Sequence, residues 1–197
     1  MNVKDMLRQA SDAAKQLITL SDQTIIGILK ETAQVLRTHT EEVLAANRQD
    51  LERMDPANPK YDRLKLTEER LQGIAADMEN VSTLPSPLNK VLSETTRPNG
   101  MVIRKVTVPF GVIGVIYEAR PNVTFDVFSL CFRSGNVCVL KGGSDADFSN
   151  RALVRIIHSV LERQGINPAV CTLLPPDREA TAELFGAVGL VDLNIPL

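Results

Sequence analysis

One continuous block, residues 109–150, constrains the fold of this chain more than any other segment. Its sequence is PFGVIGVIYEARPNVTFDVFSLCFRSGNVCVLKGGSDADFSN. Two short apolar runs, Val112 to Tyr117 and Val137 to Leu140, flank a helical pattern from about Val123 to Ser134. Continuously apolar strands joined by a helix are typical of a parallel sheet that is covered on both faces. The block therefore predicts an α/β fold with a parallel, Rossmann-like sheet.

The same alternation continues to the last residue. Gly135 and Gly165 stand where the first two helices are expected to end, and glycine commonly closes a helix in the left-handed conformation. The further predicted elements are a helix over about Ala146 to Gln164, a strand over Val170 to Leu174, a helix over about Asp177 to Phe185 and a strand over Leu190 to Ile195.

The region before this block has a different pattern. Apolar residues at helical spacing predict three helices between Val3 and about Met54, with Ser21 and Thr40 as N-caps. The capping pattern that begins at Thr67 predicts a fourth helix, which runs to about Val81. Val91 to Arg97 and Met101 to Val108 flank Asn99-Gly100, which predicts a β-hairpin. We therefore divide the chain into a helical part, residues 1–88, a hairpin that could contact another subunit, residues 89–110, and an incomplete Rossmann-like part, residues 111–197.

Composition excludes several classes of function. The net charge of −2 and the scattered Lys and Arg residues argue against nucleic-acid binding. No segment reaches the roughly 20 apolar residues that cross a bilayer, and the first residues lack the apolar core of a secretory signal, so we expect a cytoplasmic protein. Three cysteines without C-x-x-C spacing and two distant histidines predict neither a disulfide framework nor a metal site.

The most informative candidate site is the turn Lys141-Gly142-Gly143-Ser144, which follows the second apolar strand. In open parallel sheets the ligand lies beyond the carboxyl ends of the strands. Lys141 offers a cation, the two glycines let a ligand approach the backbone, and Ser144 is placed to cap the next helix. The alternative is a tight turn with an N-cap and no ligand. Glycines 111 and 114 lie before or within a strand, where they predict close packing rather than a dinucleotide fingerprint.

The phrase from Tyr117 to Thr124, YEARPNVT, is the most characteristic part of the chain. Together with Ala46-Asn47, Arg63-Leu64 and the Asp-Arg-Glu at 177–179, it resembles the glutamate-5-semialdehyde dehydrogenase (γ-glutamyl phosphate reductase) family of the aldehyde dehydrogenase superfamily. The resemblance implies an aldehyde dehydrogenase-like cofactor domain with a helical amino-terminal region, a hairpin and a parallel sheet. It also implies NADPH-dependent reduction of γ-glutamyl phosphate to glutamate 5-semialdehyde and phosphate in proline biosynthesis.

The resemblance also implies roles for individual residues. Asn122 would donate to the oxyanion, whereas its alternative is an Asx turn that opens the next helix. Lys141, Gly142, Gly143 and Ser144 would bind the cofactor, with NADP(H) favoured because Ser144 stands where many relatives have a ribose-binding glutamate. The nearby Asp145 and Asp147 would oppose a 2′-phosphate unless they point away.

The remaining implied contacts concern the substrate and protein partners. Arg120 would help to hold the anionic substrate, unless it forms a salt bridge to Glu118 or another residue. The family resemblance further implies a homo-oligomer and a contact with glutamate 5-kinase.

The family mechanism uses a cysteine thiolate, which displaces phosphate to give a thioester that hydride then reduces. By the resemblance that cysteine lies downstream of residue 197, in a catalytic domain absent from this chain. Cys131, Cys138 and Cys171 stand in apolar contexts that suit inert buried thiols. The sequence therefore predicts a truncated, inactive part of a reductase. The alternative is a stand-alone nucleotide-binding or oligomerising module without catalysis.

Overall fold

The structure, a computed structural model, describes residues 1–197. It contains eight α-helices and six strands, together with 3₁₀ helices at Ser144–Ala146 and Pro168–Val170. No helix combines the length and the apolar character that crossing a membrane would require. The helices are α1 (Val3–Leu17), α2 (Asp22–Thr38), α3 (Thr40–Glu52), α4 (Tyr61–Leu64), α5 (Glu68–Thr83), α6 (Asn122–Arg133), α7 (Asp147–Arg163) and α8 (Arg178–Phe185). The strands are β1 (Val91–Thr96), β2 (Val102–Val106), β3 (Val112–Ile116), β4 (Val137–Lys141), β5 (Cys171–Leu173) and β6 (Leu193–Pro196).

The predicted parallel sheet is confirmed. Its strand order is β5-β4-β3-β6 and every pair is parallel, with Val112 opposite Val137 and Ile113 opposite Leu193. The chain moves outward from β3 through β4 to β5 and then returns to place β6 on the other side of β3. The direction of strand addition thus reverses at β3, and in sheets of this kind the crevice at such a reversal is where ligands bind.

The helices cover the two faces of the sheet in separate groups. On one face, α6 and α7 contact each other, and α2, α3 and α5 pack against their outer side. On the other face, α1 packs against β4, β5 and α8. Apolar residues from all these layers form one core of 43 buried side chains. The helical amino-terminal region is therefore part of the same packed body as the sheet.

Among the N-caps predicted for the helical part, Ser21 and Thr67 are confirmed and Thr40 is wrong. The hydroxyl of Ser21 accepts a hydrogen bond from the backbone N–H of Thr24, and Thr67 does the same for Arg70, each at 3.1 Å. Thr40 instead lies inside α3, and its hydroxyl donates to the backbone carbonyl of Arg37 at 3.0 Å. Only His39 separates α2 from α3, so the hydroxyl of Thr40 bonds to a carbonyl at the end of α2.

The glycines of β3 and its approach permit close packing, as predicted. Gly111 has φ +121°, and a Cβ there would lie 2.2 Å from Oδ2 of Asp192. A Cβ on Gly114 would lie 2.3 Å from Oδ1 of Asn194, on the neighbouring strand β6. The left-handed glycines expected after α6 and α7 are also present, at 135 and 165. Close approach of the Asp192 and Asn194 side chains, rather than a ligand, therefore accounts for the glycines around β3.

The predicted hairpin is confirmed, and it projects away from the core. Strands β1 and β2 pair antiparallel across a turn in which Gly100 has φ +83°. Every residue of both strands is exposed, so the ribbon has no buried face. Its large exposed apolar side chains are Val91, Leu92, Val102, Ile103 and Val106.

Candidate functional site

The two turns that sequence reasoning singled out meet at one edge of the sheet. β3 ends at Ile116 and β4 ends at Lys141, and these residues are partners in the parallel ladder. The backbone N–H of Tyr117 then donates to the carbonyl of Lys141 at 3.1 Å, which extends the pairing into the turns. The YEARPNVT turn and the Lys141 turn are thus neighbours, although their residues come from separate crossover units.

Lys141 is buried and its ammonium group is held at the strand ends. Nζ donates to the carbonyl of Gly142 at 3.0 Å and to that of Pro176 at 3.2 Å. Burial lowers the pKa of Lys141, and the nearby charge of Asp177 acts in the opposite direction. An ammonium group has three N–H donors, so these two carbonyls leave one N–H of Lys141 unused.

A buried polar network joins the two turns from behind. The hydroxyl groups of Tyr117 and Thr124 lie 2.7 Å apart, and Thr124 donates to Oδ1 of Asn150 at 3.0 Å. A Cβ on Gly142 would lie 2.3 Å from Nδ2 of Asn150, so this glycine is required by internal packing. The network fixes β3, α6, α7 and the Lys141 turn relative to one another.

Ser144 is exposed at the start of a 3₁₀ helix, and its predicted role as a helix cap is wrong. Its side chain makes no capping bond, and α7 begins three residues later. Its carbonyl accepts a hydrogen bond from Nη2 of Arg53 at 2.7 Å, and the guanidinium of Arg53 lies 5.2 Å from the ring centroid of Phe148. Sequence reasoning missed Arg53, because it belongs to the end of the α3 segment, 91 residues away.

The cap of α7 comes from another helix. Oδ1 of Asp50 on α3 accepts from the backbone N–H of Phe148 at 3.2 Å, and Oδ2 accepts from the N–H and the hydroxyl of Ser149 at 2.7 and 2.6 Å. Burial raises the pKa of Asp50, whereas its hydrogen bonds from Ser149 and Phe148 act to lower it. Asn47 extends this arrangement by donating to Oγ of Ser149 at 3.0 Å. Asp50 and Asn47 thereby anchor the helix that follows the Lys141 turn.

The two aspartates that could oppose a phosphate have cationic neighbours. Asp147 accepts from Nε of Arg151 with both carboxylate oxygens at 2.9 Å. The pKa of Lys60 is raised mainly by Glu118 and, to a smaller extent, by the negative charge of Asp145. Each carboxylate therefore has a nearby cation, Arg151 for Asp147 and Lys60 for Asp145.

Asn122 is the first residue of α6 and lies beside the carboxyl end of β3. Its side chain makes no capping bond to the backbone, so the alternative of an Asx turn is not observed. Instead Nδ2 donates to Oδ2 of Asp126 at 3.1 Å, one helical turn further along. Asp126 is half-buried, and burial raises the pKa of its carboxyl group. The oxyanion role of Asn122 stays a prediction.

A cavity of about 420 Å³ opens next to Asn122, and we call it the cation-lined cavity. Arg120 contributes to it and has no carboxylate within 4.0 Å, so a salt bridge to Glu118 does not form. Glu118 pairs instead with Lys60 at 2.9 Å, and that hydrogen bond lowers the pKa of Glu118. The polar side chains of the cavity are Asp62, Arg63, Lys65, Arg70, Asp77, Arg120 and Asn122.

The three cysteines are all buried and unpaired. Burial raises the pKa of Cys131. The pKa of Cys138 is also raised, mainly by its hydrogen bond with Cys171 and, after that, by burial. Thiolate formation at these two positions is therefore disfavoured, which agrees with the prediction that they are inert. No group of three or more His, Cys, Asp or Glu side chains is arranged to hold a metal ion.

Comparison with known proteins supports the predicted resemblance. The γ-glutamyl phosphate reductase of Parabacteroides distasonis is 98% identical over 196 residues, which are 100% of this chain and 47% of that protein. The chain therefore spans about half the length of the curated relatives it matches. No protein-family model matches the chain.

Solved structures show the same fold. The γ-glutamyl phosphate reductase of Thermotoga maritima superposes with a TM-score of 0.95 at 30% identity and covers 100% of this chain and 49% of that one. A NAD-dependent benzaldehyde dehydrogenase from Corynebacterium glutamicum superposes with a TM-score of 0.76 at 17% identity, over 98% of this chain and 40% of that one. The predicted aldehyde dehydrogenase-like α/β fold is confirmed.

Proposed function

We propose, from its homology to γ-glutamyl phosphate reductases along its whole length, that this chain forms the cofactor-binding part of an enzyme of proline biosynthesis. The proposed reaction reduces γ-glutamyl phosphate to glutamate 5-semialdehyde, and phosphate leaves. The observation that carries the proposal is that Asn122, which lines the cation-lined cavity, lies at the same edge of the sheet as the Lys141 turn.

Each part of this edge has a chemical task in the proposed reaction. The unpaired guanidinium of Arg120 suits an anionic substrate, since the acyl phosphate and the α-carboxylate both carry negative charge. An N–H of Asn122 would donate to the acyl oxygen as negative charge develops on it. The buried cysteines at 131, 138 and 171 leave the thiolate of the family mechanism to a residue outside residues 1–197.

The residues of the Lys141 turn fit a nicotinamide cofactor, and we propose NADP(H). When bound, the cofactor supplies the hydride that reduces the acyl carbon. A ribose 2′-hydroxyl is normally held by a carboxylate, whereas a 2′-phosphate requires cations and the absence of that carboxylate. Ser144 stands at this turn with Arg53 bonded to its carbonyl, and the remaining N–H groups of Arg53 are available to a phosphate.

The proposed cofactor preference predicts the outcome of fluorescence titrations of this chain with NADPH and NADH. We expect tighter binding of NADPH. Ser144→Glu should weaken NADPH binding about tenfold or more, because a carboxylate would face the 2′-phosphate, and should spare NADH. Arg53→Ala should likewise weaken NADPH binding selectively, with Arg155→Ala, an exposed arginine of α7, as the matched control. Tighter binding of NADH than NADPH by the unaltered chain would contradict the preference.

The reaction itself can be tested in a chimera. We replace the matching 196 residues of the P. distasonis reductase with this chain and measure phosphate-dependent oxidation of glutamate 5-semialdehyde with NADP+. We expect the chimera to be active and the isolated chain to give no turnover, because its thiols are buried. An inactive but folded chimera would contradict the proposed function. NADPH binding by the isolated chain together with an inactive chimera would favour the alternative, a nucleotide-binding module.

The partners are proposed on the same basis. The exposed hairpin β1–β2 carries apolar side chains on a ribbon without a buried face, which suits a contact between subunits of a homo-oligomer. Light scattering that finds only monomer at micromolar concentration would contradict this role. A contact with glutamate 5-kinase rests on the family resemblance alone, and the absence of co-sedimentation of the two proteins would contradict it.

A further inference from the structure

We propose that Asp126 is a positioning residue, which fixes the orientation of the Asn122 side chain for the reduction. The inference rests on the proposed function, since it assigns a task to a residue that supports the proposed oxyanion donor. Its physical basis is the hydrogen bond from Nδ2 of Asn122 to Oδ2 of Asp126 at 3.1 Å.

The chemistry of this pair selects one orientation of the amide. An ionised carboxylate only accepts hydrogen bonds, whereas the amide of Asn122 has an NH₂ donor on one side and a carbonyl acceptor on the other. Asp126 can therefore bond the NH₂ side alone, and rotation of the amide by 180° would set two acceptors against each other. One N–H is engaged by Asp126 and the second remains for the oxyanion.

The surroundings of Asp126 do not offer another reason for a carboxylate at this position. Asp126 is half-buried and forms no salt bridge with a lysine, arginine or histidine. The pKa of Asp126 is raised mainly by burial and, to a smaller extent, by the like charge of Asp77 on α5. Asn122 is the side chain that stabilises the ionised form. A carboxylate that is costly to bury is thus retained opposite the candidate oxyanion donor.

A purely structural role predicts something different. Side-chain pairs four residues apart on a helix stabilise it by only about 0.2–0.5 kcal/mol. If the pair serves the helix alone, its loss changes stability by that small amount and leaves kcat unchanged. If Asp126 positions Asn122, its loss lowers kcat with little effect on KM, because the lost interaction belongs to the transition state.

The first test measures the pair in this chain by NMR. The side-chain NH₂ resonances of Asn122 should titrate with pH at a midpoint above the value of about 3.9 for an ordinary aspartate. This titration should be absent from Asp126→Asn, and Asp77→Asn should lower its midpoint without removing it. If the chemical shifts of the Asn122 NH₂ group do not change as Asp126 titrates, the proposal is overturned, whatever the activity of the enzyme.

The second test measures kcat and KM in the chimera. Asp126→Ala should lower kcat about tenfold or more with KM little changed, and Asp126→Asn, whose carbonyl can still accept from Asn122, should recover much of the loss. Circular dichroism and thermal unfolding confirm that both variants fold. If Asn122→Ala lowers kcat but Asp126→Ala does not, the positioning role is wrong and the proposed function stands. If Asn122→Ala has no effect, the proposed oxyanion role itself fails.

Discussion

Replacing Asn122 by alanine in the chimeric reductase is expected to lower kcat by about 10²- to 10³-fold, the usual consequence of removing one oxyanion donor. KM should change little, because the amide interacts with charge that develops on the acyl oxygen only as the reaction proceeds. Steady-state kinetics with glutamate 5-semialdehyde, phosphate and NADP+ provides the measurement. The effect should be the largest of any single substitution at the described edge of the sheet.

The matched variants separate loss of the donor from loss of structure. Asn122→Asp preserves the shape of the side chain but removes its N–H groups, and so should be nearly as damaging as alanine. Glu118→Gln lies in the same turn, and its partner Lys60 is on the surface, so this control should retain activity. A folded Asn122→Ala variant with unchanged kcat would show that the amide does not stabilise the transition state.

The second large effect concerns stability. Asp50→Ala is expected to lower the free energy of unfolding by about 3 kcal/mol, because it leaves two backbone N–H groups and the hydroxyl of Ser149 without their acceptor. Urea unfolding of the isolated chain, followed by circular dichroism, measures the change. The loss of the cap should also loosen the start of α7, which follows the Lys141 turn.

A control for this prediction connects the same two helices. Glu42 on α3 pairs with Arg155 on α7 at 3.4 Å, and both side chains are at least half exposed. Glu42→Ala should change the free energy of unfolding by less than about 1 kcal/mol, as is usual for surface pairs. Equal effects of the Asp50 and Glu42 substitutions would mean that the buried cap contributes no more than a surface charge.

Sequence patterns predicted the elements of this fold because most of them depend on local chemistry. Periodic apolar residues placed the helices except the four-residue α4, and Asn99-Gly100 placed the hairpin, with differences of a few residues at the ends. Ser21 and Thr67 each cap the first turn of the helix that follows them, so the bonded groups are only three residues apart in the sequence. The same reasoning was wrong at Thr40, whose hydroxyl bonds to a carbonyl at the end of α2, and at Ser144, where Asp50 from α3 caps α7 instead.

The candidate site was predicted only in part. The family phrase located Asn122 and Arg120, and the position of the strand ends located Lys141. The salt bridge considered for Arg120 does not form, because Lys60 occupies Glu118 instead. Arg53 was missed, since nothing near it in the sequence marks an arginine at the end of a helical segment as a partner of Ser144.

Periodicity and short motifs were enough to predict the strands, the helices other than the short α4, the hairpin and the family resemblance. Only the tertiary structure decided that Asp50 caps α7, that Gly142 packs against Asn150 and that Asn122 bonds Asp126 while lining the cation-lined cavity. The cap joins residues 99 positions apart. The cap of α7 and the Gly142 contact depend on how α3, α7 and the sheet pack together, whereas the Asn122–Asp126 bond lies within α6 and only its position at the cavity depends on that packing.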